Sequence, residues 1–265
     1  MTSELQDERA ALLAEFDAEV RRGAAPDVPG ARVEAVGGVV RQVGGPGESN
    51  AVLHSDLGAE DADRVVREQC AYLTGLGHGF EWKLYAHDRP AHLPDVLRAA
   101  GLRPGTPETV MVAPAAATAV PEALPEGVRI RTAGPGDLDA VCEVHERAFG
   151  RPMPGLRDRL ASQLAAGETG LYAETVVVTA EGPRGPVSAA RLELPPRGRF
   201  AGLWGGGTLP GWRGRGVYRA LVAHRAAVAV ERGYTYLYVD ASEESRPILE
   251  RLGFVRLTTT TPYAP

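Results

Sequence analysis

The sequence contains almost no lysine: Lys83 is the only one, and arginine supplies the other basic residues. The formal net charge is -5 at pH 7, which gives no support for a nucleic-acid partner, because such proteins favour a basic surface. Cysteine is also scarce. Cys70 and Cys142 are the only two, and a disulfide framework or a zinc site needs more partners at closer spacing. We therefore expect no nucleic-acid partner and no metal.

Long apolar runs are missing as well. Residues 1–7 are polar and acidic and contain no apolar core of a signal peptide. No apolar run approaches the roughly 20 residues that cross a membrane as a helix. We therefore expect a cytoplasmic protein with no membrane partner. The length of 265 residues leaves room for one large domain or two small ones.

A stretch rich in alanine and proline divides the chain. Residues 113–126 read APAAATAVPEALPE and show no strand alternation, so we predict an extended linker between two domains, 1–112 and 127–265. The two halves end alike, with a strand, a short helix and then Ala100-Gly101-Leu102 in one and Leu252-Gly253-Phe254 in the other. This internal repeat predicts two copies of one fold, the first of them reduced.

Apolar periodicity predicts the elements of the second half. In chain order they are a strand at Val128–Arg131, helices at Asp137–Phe149 and Leu156–Ala166, strands at Leu171–Ala180, Val187–Leu194 and Phe200–Leu209, a helix at Val217–Arg232, a strand at Tyr234–Val239, a helix at Arg246–Leu252 and a strand at Phe254–Thr261. In the first half, the pair Gly37-Gly38 predicts a hairpin between two short valine-rich strands.

The stretch Thr208–Val222 carries the clearest chemical signal. A predicted strand ends at Leu209 and a predicted helix begins at Val217, with glycines and arginines between them. Glycine lets the backbone approach a ligand, and the first amides of a helix have no internal acceptor and lie at the positive end of its dipole. These features favour an anion such as a phosphate, and Arg213 and Arg215 add positive charge. A solvent-exposed Gly/Arg turn is the alternative.

The same stretch resembles motif A of the GNAT superfamily of N-acetyltransferases. Arg213 and Gly216 match the pattern Arg/Gln-x-x-Gly-x-Gly/Ala, while Tyr218 stands where Gly or Ala is usual. The stretch Val128–Leu138 resembles the first strand and helix start of the family, and Ser245–Phe254 resembles its motif B. The resemblance extends over residues 126–263.

The resemblance implies an α/β protein of the α+β GNAT type, with two tandem domains that each contain a mixed, mainly antiparallel sheet flanked by helices. The co-substrate is then an acyl-CoA, most simply acetyl-CoA, whose pantetheine lies between the splayed strands ending at Leu209 and Val239. The implied cofactor-binding residues are Gly207, Thr208, Leu209, Arg213, Gly214, Arg215, Gly216, Val217, Tyr218, Arg219 and Ser245. The acceptor is an amine of a small molecule or peptide, and the protein is expected to be a monomer or a homodimer.

Acyl transfer needs a neutral amine near the thioester, and a proton donor or a solvent path for the departing thiolate. The family's usual tyrosine position holds Leu249, and the strand with the usual base has no carboxylate. Glu193 and Asp240 are the candidate catalytic residues, each with a solvated surface carboxylate as the alternative. The candidate proton donors, with strand or core packing as the alternative, are Tyr218, Tyr236 and Tyr238. Catalysis by positioning alone is a further option.

The candidate acceptor-binding residues are Trp204 and Tyr238. Trp204 precedes three glycines that thin the strand and suit close approach of a ligand, and a core aromatic opposite glycine is the alternative. In the first half, the counterpart of the phosphate loop is Ser55–Ala62, whose carboxylates would repel a pyrophosphate. We therefore expect residues 1–112 to form a degenerate GNAT-like domain without a CoA site.

Within that domain, the segment Glu81–Pro90 is rich in functional groups and is interpreted either as a substrate contact that faces the other domain or as an inter-domain salt-bridge and packing surface. The sequence as a whole predicts an acyl-CoA-dependent N-acyltransferase. A non-catalytic acyl-CoA-binding or regulatory protein is the alternative, and an α/β scaffold with no CoA site is the third possibility.

Overall fold

The computed structural model describes residues 2–44, 50–166 and 173–265. The chain divides into two compact units. Unit 1 comprises Met1–Val110, Asp240–Glu243 and Arg256–Pro265, and unit 2 comprises Met111–Val239 and Glu244–Val255. The first two residues of the strand predicted at Leu171–Ala180 lie outside the described residues. In the described part of the chain, no helix is both long enough and apolar enough to cross a membrane.

Unit 1 is built on a β-sheet with helices. Its elements are α1 (Thr2–Phe16), a π-helical segment (Asp17–Arg22), β1 (Arg32–Val36), β2 (Val39–Val43), β3 (Asn50–Ser55), α2 (Ala62–Gly75), β4 (Phe80–Tyr85), α3 (Leu93–Ala99), β5 (Arg103–Pro104), the start of β6 (Glu108–Pro114) and most of β12 (Val255–Ala264). The strand order is β1-β2-β3-β4-β12, and β5 pairs with the outer end of β12. Only β3 and β4 are parallel in this order.

The predicted hairpin of unit 1 is confirmed. Val36 pairs with Val39, and the two residues between them, Gly37 and Gly38, have φ values of 60° and 85°. A two-residue turn with two positive φ angles matches the right-handed twist of the strands, and only glycine adopts both angles without strain. The turn therefore fixes the register of β1 against β2.

The core of unit 1 lies between the sheet and its two later helices. Alternate residues of β4, namely Phe80, Trp82 and Leu84, point to one face and pack against α2 and α3. Each fully buried apolar side chain of this size contributes about 1.5–3 kcal/mol. The C-terminal strand pairs with β4 along the register Thr260↔Tyr85 to Tyr263↔Trp82, so the end of the chain belongs to unit 1.

Unit 2 contains the end of β6, residues 111–114, beside a sheet of five further strands. Its elements are α4 (Ala115–Thr118), β7 (Arg129–Thr132), a 3-10 turn (Pro135–Asp137), α5 (Leu138–Phe149), α6 (Leu156–Ala166), β8 (Glu174–Gly182), β9 (Gly185–Leu194), β10 (Phe200–Thr208), a second 3-10 turn (Pro210–Trp212), α7 (Val217–Glu231), β11 (Tyr236–Ala241, up to Val239) and α8 (Arg246–Arg251). The strand order is β11-β10-β9-β8-β7, antiparallel except for β10 with β11. The predicted mixed, mainly antiparallel sheet flanked by helices is confirmed.

Helices cover both faces of this sheet. On one face, α5 packs its apolar stripe, including Leu138, Val141 and Val144, against Val177 and Ala189. Residues alternate between faces along a strand, and α7 packs against the opposite face of β8, β9 and β10. The middle strands β9 and β10 therefore lie between two helices.

The segment predicted as an extended linker contains a short helix. Three consecutive alanines favour helix, and α4 occupies Ala115–Thr118. The amide of Ala115 donates to the carbonyl of Thr235, and α4 packs against α7. The residues that follow α4 therefore start beside α7.

Candidate functional site

The parallel strands β10 and β11 separate after three residue pairs. Phe200, Ala201 and Gly202 pair with consecutive residues of β11, the last being Tyr238. Beyond this point β10 continues to Thr208 and pairs with β9, with a bulge between Trp204 and Gly207. A bulge bends a strand and increases its twist. Within the described residues, the other edge of β10 therefore has no strand partner from residue 203 onwards.

The bulge contains three glycines that allow the flanking helices to come close. A Cβ atom added to any of them would lie within 3 Å of a helix side chain: Gly205 against His145 Nε2 at 2.8 Å, Gly206 against Tyr218 Cε2 at 2.8 Å, and Gly207 against Ala148 Cβ at 2.9 Å. The contacts alternate between α5 and α7, as the pleat of a strand requires. Larger residues here would force the helices away from the sheet.

The helix that follows β10 begins without a side-chain cap. Gly216 is the N-cap residue of α7, with φ 83°, and as a glycine it has no side chain that could cap the helix. Gly214 also has a positive φ, 71°. The free amides of this first turn, together with the helix dipole, form a site suited to a phosphate. The predicted order of a strand, a glycine-containing loop and a helix that begins at Val217 is therefore present.

Two arginines of this loop have partners in unit 2. Arg213 donates from Nε to the Thr208 carbonyl at 3.1 Å and from Nη2 to the Ala148 carbonyl at 2.7 Å, which ties the loop to β10 and to α5. The guanidinium carbon of Arg215 lies 5.1 Å from the ring centroid of Trp212. Both arginines stay exposed, so their charge is still available to an anion at the start of α7.

A third arginine, in the first turn of α7, contacts the segment that follows α4. Arg219 forms an ion pair with Glu122, with its Nε 3.2 Å from Oε1. The carbonyl oxygen of Ala123 lies 3.3 Å from the position of a Cβ on Gly216. A carboxylate and a carbonyl therefore lie beside the start of α7, where they oppose part of its positive potential.

The predicted acceptor-side residues come together around Gly202. The rings of Trp204 and Tyr238 meet edge to face, with centroids 5.9 Å apart and an interplanar angle of 88°. A Cβ on Gly202 would lie 2.5 Å from Trp204 Nε1 and 3.1 Å from Tyr238 Oη. Glu193 is the β9 residue opposite Gly202, and opposite residues of an antiparallel pair share a face. Three of the predicted residues therefore share one face of the sheet.

A model of the acetyltransferase (GNAT) family matches residues 139–254. Residues 139–254 form a GNAT-family domain.

Solved structures share the fold of nearly the whole chain. A GCN5-related N-acetyltransferase from Kribbella flavida is 14% identical with a TM-score of 0.68, over 97% of this chain and 95% of that one. A GCN5-related N-acetyltransferase from Sphaerobacter thermophilus is 19% identical with a TM-score of 0.62, over 86% and 76%. A tandem GNAT protein from the clavulanic acid biosynthesis pathway is 10% identical with a TM-score of 0.61, over 97% and 94%. These similarities confirm the predicted tandem GNAT-like fold. A search of curated proteins gives no match.

Two buried side chains in the GNAT domain were not among the predicted site residues. Arg225 on α7 is 1% exposed and donates from Nε to the Leu221 carbonyl at 3.1 Å and from Nη1 to the Arg191 carbonyl at 2.9 Å. Burial lowers its pKa to about 10. His145 on α5 is fully buried, its Nδ1 donates to the Val141 carbonyl at 2.8 Å, and burial lowers its pKa. The sequence signal that could have indicated Arg225 is its position among the alanines of α7.

Three other predicted residues, Asp240, Ser245 and Tyr236, lie outside the group around Gly202. Asp240 belongs to unit 1, where its Oδ2 lies 2.5 Å from Lys83 Nζ, and its side chain is buried. Ser245 is the N-cap residue of α8, and its carbonyl accepts two amides of that helix. Tyr236 stacks on Phe200 with ring centroids 5.1 Å apart. The two candidate catalytic carboxylates therefore belong to different units.

Unit 1 has a pair of parallel strands like β10 and β11 of unit 2, but its two strand ends do not separate. Its parallel strands β3 and β4 also pair over three residues, from Asn50↔Phe80 to Val52↔Trp82. Beyond the strand ends, Asp56 then forms a bridge with Arg89, whose carbonyl accepts the amide of Leu57 at 3.3 Å. The strand ends of unit 1 are therefore joined again where those of the GNAT domain are separate.

The segment Glu81–Pro90 is largely engaged within unit 1. Arg21, 1% exposed, bonds to Asp88 at 2.6 Å and to Asp17 at 2.8 Å. His87 Nε2 lies 2.8 Å from Asp17 Oδ2. This buried network joins the π-helical segment to the end of β4, so these contacts pack unit 1 internally.

Proposed function

We propose that unit 2 binds an acyl-CoA, with acetyl-CoA as the simplest donor, and transfers its acyl group to an amine of a small molecule or peptide. One observation carries the proposal: the free edge of β10 leads directly to the uncapped start of α7. A strand edge offers hydrogen bonds to the amides of pantetheine, and the helix start offers amides to the pyrophosphate. The pantetheine and the pyrophosphate of one acyl-CoA would thus be bound by two consecutive segments of the chain.

The residues present fit this ligand. Gly214 and Gly216 adopt backbone angles that favour glycine and leave the first turn of α7 uncovered by a side chain. The backbone of Gly207 to Leu209 would hold the pantetheine, and residues 213–219 would hold the diphosphate. Arg213 and Arg215 raise the local positive potential without covering the amides. Ser245, at the start of α8, stays a proposed cofactor-binding residue.

The proposed chemistry uses the groups around Gly202. The co-substrate supplies an activated acyl group as a thioester, and the chain orients the amine against it. Glu193 is the favoured base, because it shares one face of the sheet of unit 2 with Trp204 and Tyr238, whereas Asp240 belongs to unit 1. Trp204 and Tyr238 form the proposed wall for the acceptor. Orientation of this kind supplies much of a rate enhancement.

The role proposed for residues 1–112 is that of a degenerate GNAT-like domain that binds no CoA. The bridge between Asp56 and Arg89 supports this role, since it joins the strand ends that would have to stay apart. Asp61 and Asp63 at the start of α2 also place negative charge where a pyrophosphate would lie.

The experiment is steady-state release of free CoA from acetyl-CoA with a panel of small amines and peptides. We expect at least one amine to raise release above the rate of hydrolysis. Binding of acetyl-CoA without stimulation by any amine would instead identify an acyl-CoA-binding or regulatory protein. If titration with acetyl-CoA shows no binding, the proposed CoA site is wrong and the protein is an α/β scaffold without one.

A further inference from the structure

The position of the family's usual tyrosine is occupied by a core residue. Leu249 lies on α8 and is fully buried. Its aliphatic side chain has no group that can protonate a leaving thiolate. The chain instead has a tyrosine where the family usually has glycine or alanine, at Tyr218. The chain therefore lacks the family's usual hydroxyl on α8 and has an additional hydroxyl, that of Tyr218, on α7.

Tyr218 and Arg225 share one stripe of α7. They are seven residues apart, which is about two helical turns. Side chains of a helix tilt toward its N-terminus, so the long side chain of Arg225 extends back toward Tyr218. Both reach the same backbone position: relative to a Cβ on Gly206, Tyr218 Cε2 lies at 2.8 Å and Arg225 Nη2 at 3.7 Å.

Gly206 lies on the free edge of β10, on the side that leads away from the phosphate loop. In the proposed binding mode, pantetheine starts at the first turn of α7 and pairs with residues 207–209. Its sulfur end is then directed along β10 toward Gly206. Because α7 packs beside β10, Tyr218 in its first turn and Arg225 in its third both lie next to Gly206. Tyr218 and Arg225 therefore flank the end of the path.

Arg225 is a buried cation without an acidic partner. Its hydrogen bonds go to two backbone carbonyls, and no Asp or Glu in the described part of the chain pairs with it. A buried charge without a counterion is costly to the fold. Such a charge stabilises negative charge that develops beside it during a reaction, and more strongly than an exposed one would.

We propose that the Tyr218 hydroxyl donates the proton to the departing CoA sulfur, and that Arg225 is the positioning residue that stabilises negative charge beside it. The assignment rests on the proposed function. The amine nitrogen forms a bond to the acyl carbon as the bond between carbon and sulfur breaks. The sulfur takes the proton from Tyr218, the phenolate recovers a proton from water, and the proton lost by the amine passes to Glu193 or to water.

The surroundings keep the donor protonated between turnovers. Burial raises the pKa of Tyr218, and the nearby Arg225 guanidinium opposes part of that rise. A phenol with a pKa above its usual value of 10 is almost fully protonated at neutral pH. The tyrosine is therefore available as an acid through the whole physiological range.

The first test is Tyr218→Phe, which keeps the ring and removes only the hydroxyl. With the best amine of the panel, we expect kcat to fall by about 10²-fold, a typical contribution of a positioned acid, while KM for acetyl-CoA changes by less than about 3-fold. Tyr234→Phe is the matched control, since its hydroxyl bonds to the Pro195 carbonyl and takes no part in the site. An undiminished kcat in Tyr218→Phe overturns the assignment and leaves the proposed function standing. A wild-type protein that no amine stimulates overturns both.

The second test needs no acceptor. The ionisation of bound CoA is followed by the ultraviolet absorbance of its thiolate as the pH is raised, with desulfo-CoA as the blank. A hydroxyl donor and a nearby cation favour the thiolate, so we expect the bound thiol to ionise with a pKa about one unit lower in wild type than in Tyr218→Phe. Arg225→Met is expected to raise it as well. Identical titrations of wild type and both variants would contradict the assignment.

Discussion

The start of α7 offers a test of the proposed phosphate site by charge alone. Gly216 has φ 83°, and a Cβ there would lie 3.3 Å from the Ala123 carbonyl oxygen, so any side chain costs some stability. Aspartate and asparagine tolerate the left-handed conformation better than other residues and have the same shape. Gly216→Asp and Gly216→Asn therefore share the backbone strain and the crowding and differ by one negative charge.

The size of the charge effect follows from the reach of the side chain. A carboxylate about 5 Å from a phosphate charge, at an effective dielectric constant of about 20, is repelled by about 3 kcal/mol. Since 1.4 kcal/mol is a factor of ten, Gly216→Asp is expected to bind acetyl-CoA roughly 10²-fold more weakly than Gly216→Asn. Salt will reduce the difference, because its screening length is about 8 Å at physiological ionic strength.

The assay is calorimetric titration of both variants with acetyl-CoA at two salt concentrations, with thermal unfolding as the check of integrity. Both variants are expected to lose about 1–2 kcal/mol of stability and to stay folded. Equal affinities for Gly216→Asp and Gly216→Asn would show that no anion lies at the start of α7. Affinities equal to that of wild type would place the acyl-CoA elsewhere.

Three further changes probe neighbouring features. Glu122→Gln removes the carboxylate paired with Arg219, so the affinity for acetyl-CoA is expected to rise several-fold at low salt and less at high salt. If calorimetry shows no rise, the ion pair does not influence binding of the ligand. Arg21→Leu removes the guanidinium that pairs with two buried aspartates, Asp17 and Asp88, and is expected to cost about 3–5 kcal/mol in denaturant unfolding; a loss below about 1 kcal/mol would contradict the buried network. The hydrogen bond from Arg131 lowers the pKa of Asp137 to about 2, below its usual 3.8, so the stability that Asp137 contributes is present above about pH 4 and is lost as the pH falls toward 2. Urea midpoints of wild type and Asp137→Asn should therefore converge on acidification, and a constant gap would refute this.

The strand, loop and helix of the candidate site were predictable because their signals are local. Glycines between the end of one strand and the apolar stripe of the next helix mark the turn, and α7 begins at Val217 as predicted. Residues 113–126 were less readable, since proline and alanine favour different conformations there. The structure has α4 in this segment, and Glu122 follows it beside Arg219.

Features that depend on contacts between distant segments were not readable. An arginine is usually solvated, and only the packing of α7 against β10 buries Arg225. The pairing of β12 with β4 joins residues about 175 positions apart in sequence, and no local pattern encodes such a pairing. Likewise, Asp240 follows a tyrosine-rich strand but is paired with Lys83, a residue of the other half of the sequence.

The stoichiometry of acetyl-CoA binding tests the central claim most directly. Unit 2 has an open path from β10 to the start of α7, whereas the matching strand ends of unit 1 are joined by the bridge between Asp56 and Arg89. Calorimetric titration of the full chain should therefore give one acetyl-CoA per chain, and none in Gly216→Asp at the same concentrations. A second equivalent, or one that persists in Gly216→Asp, would contradict the assignment of the acyl-CoA site to unit 2.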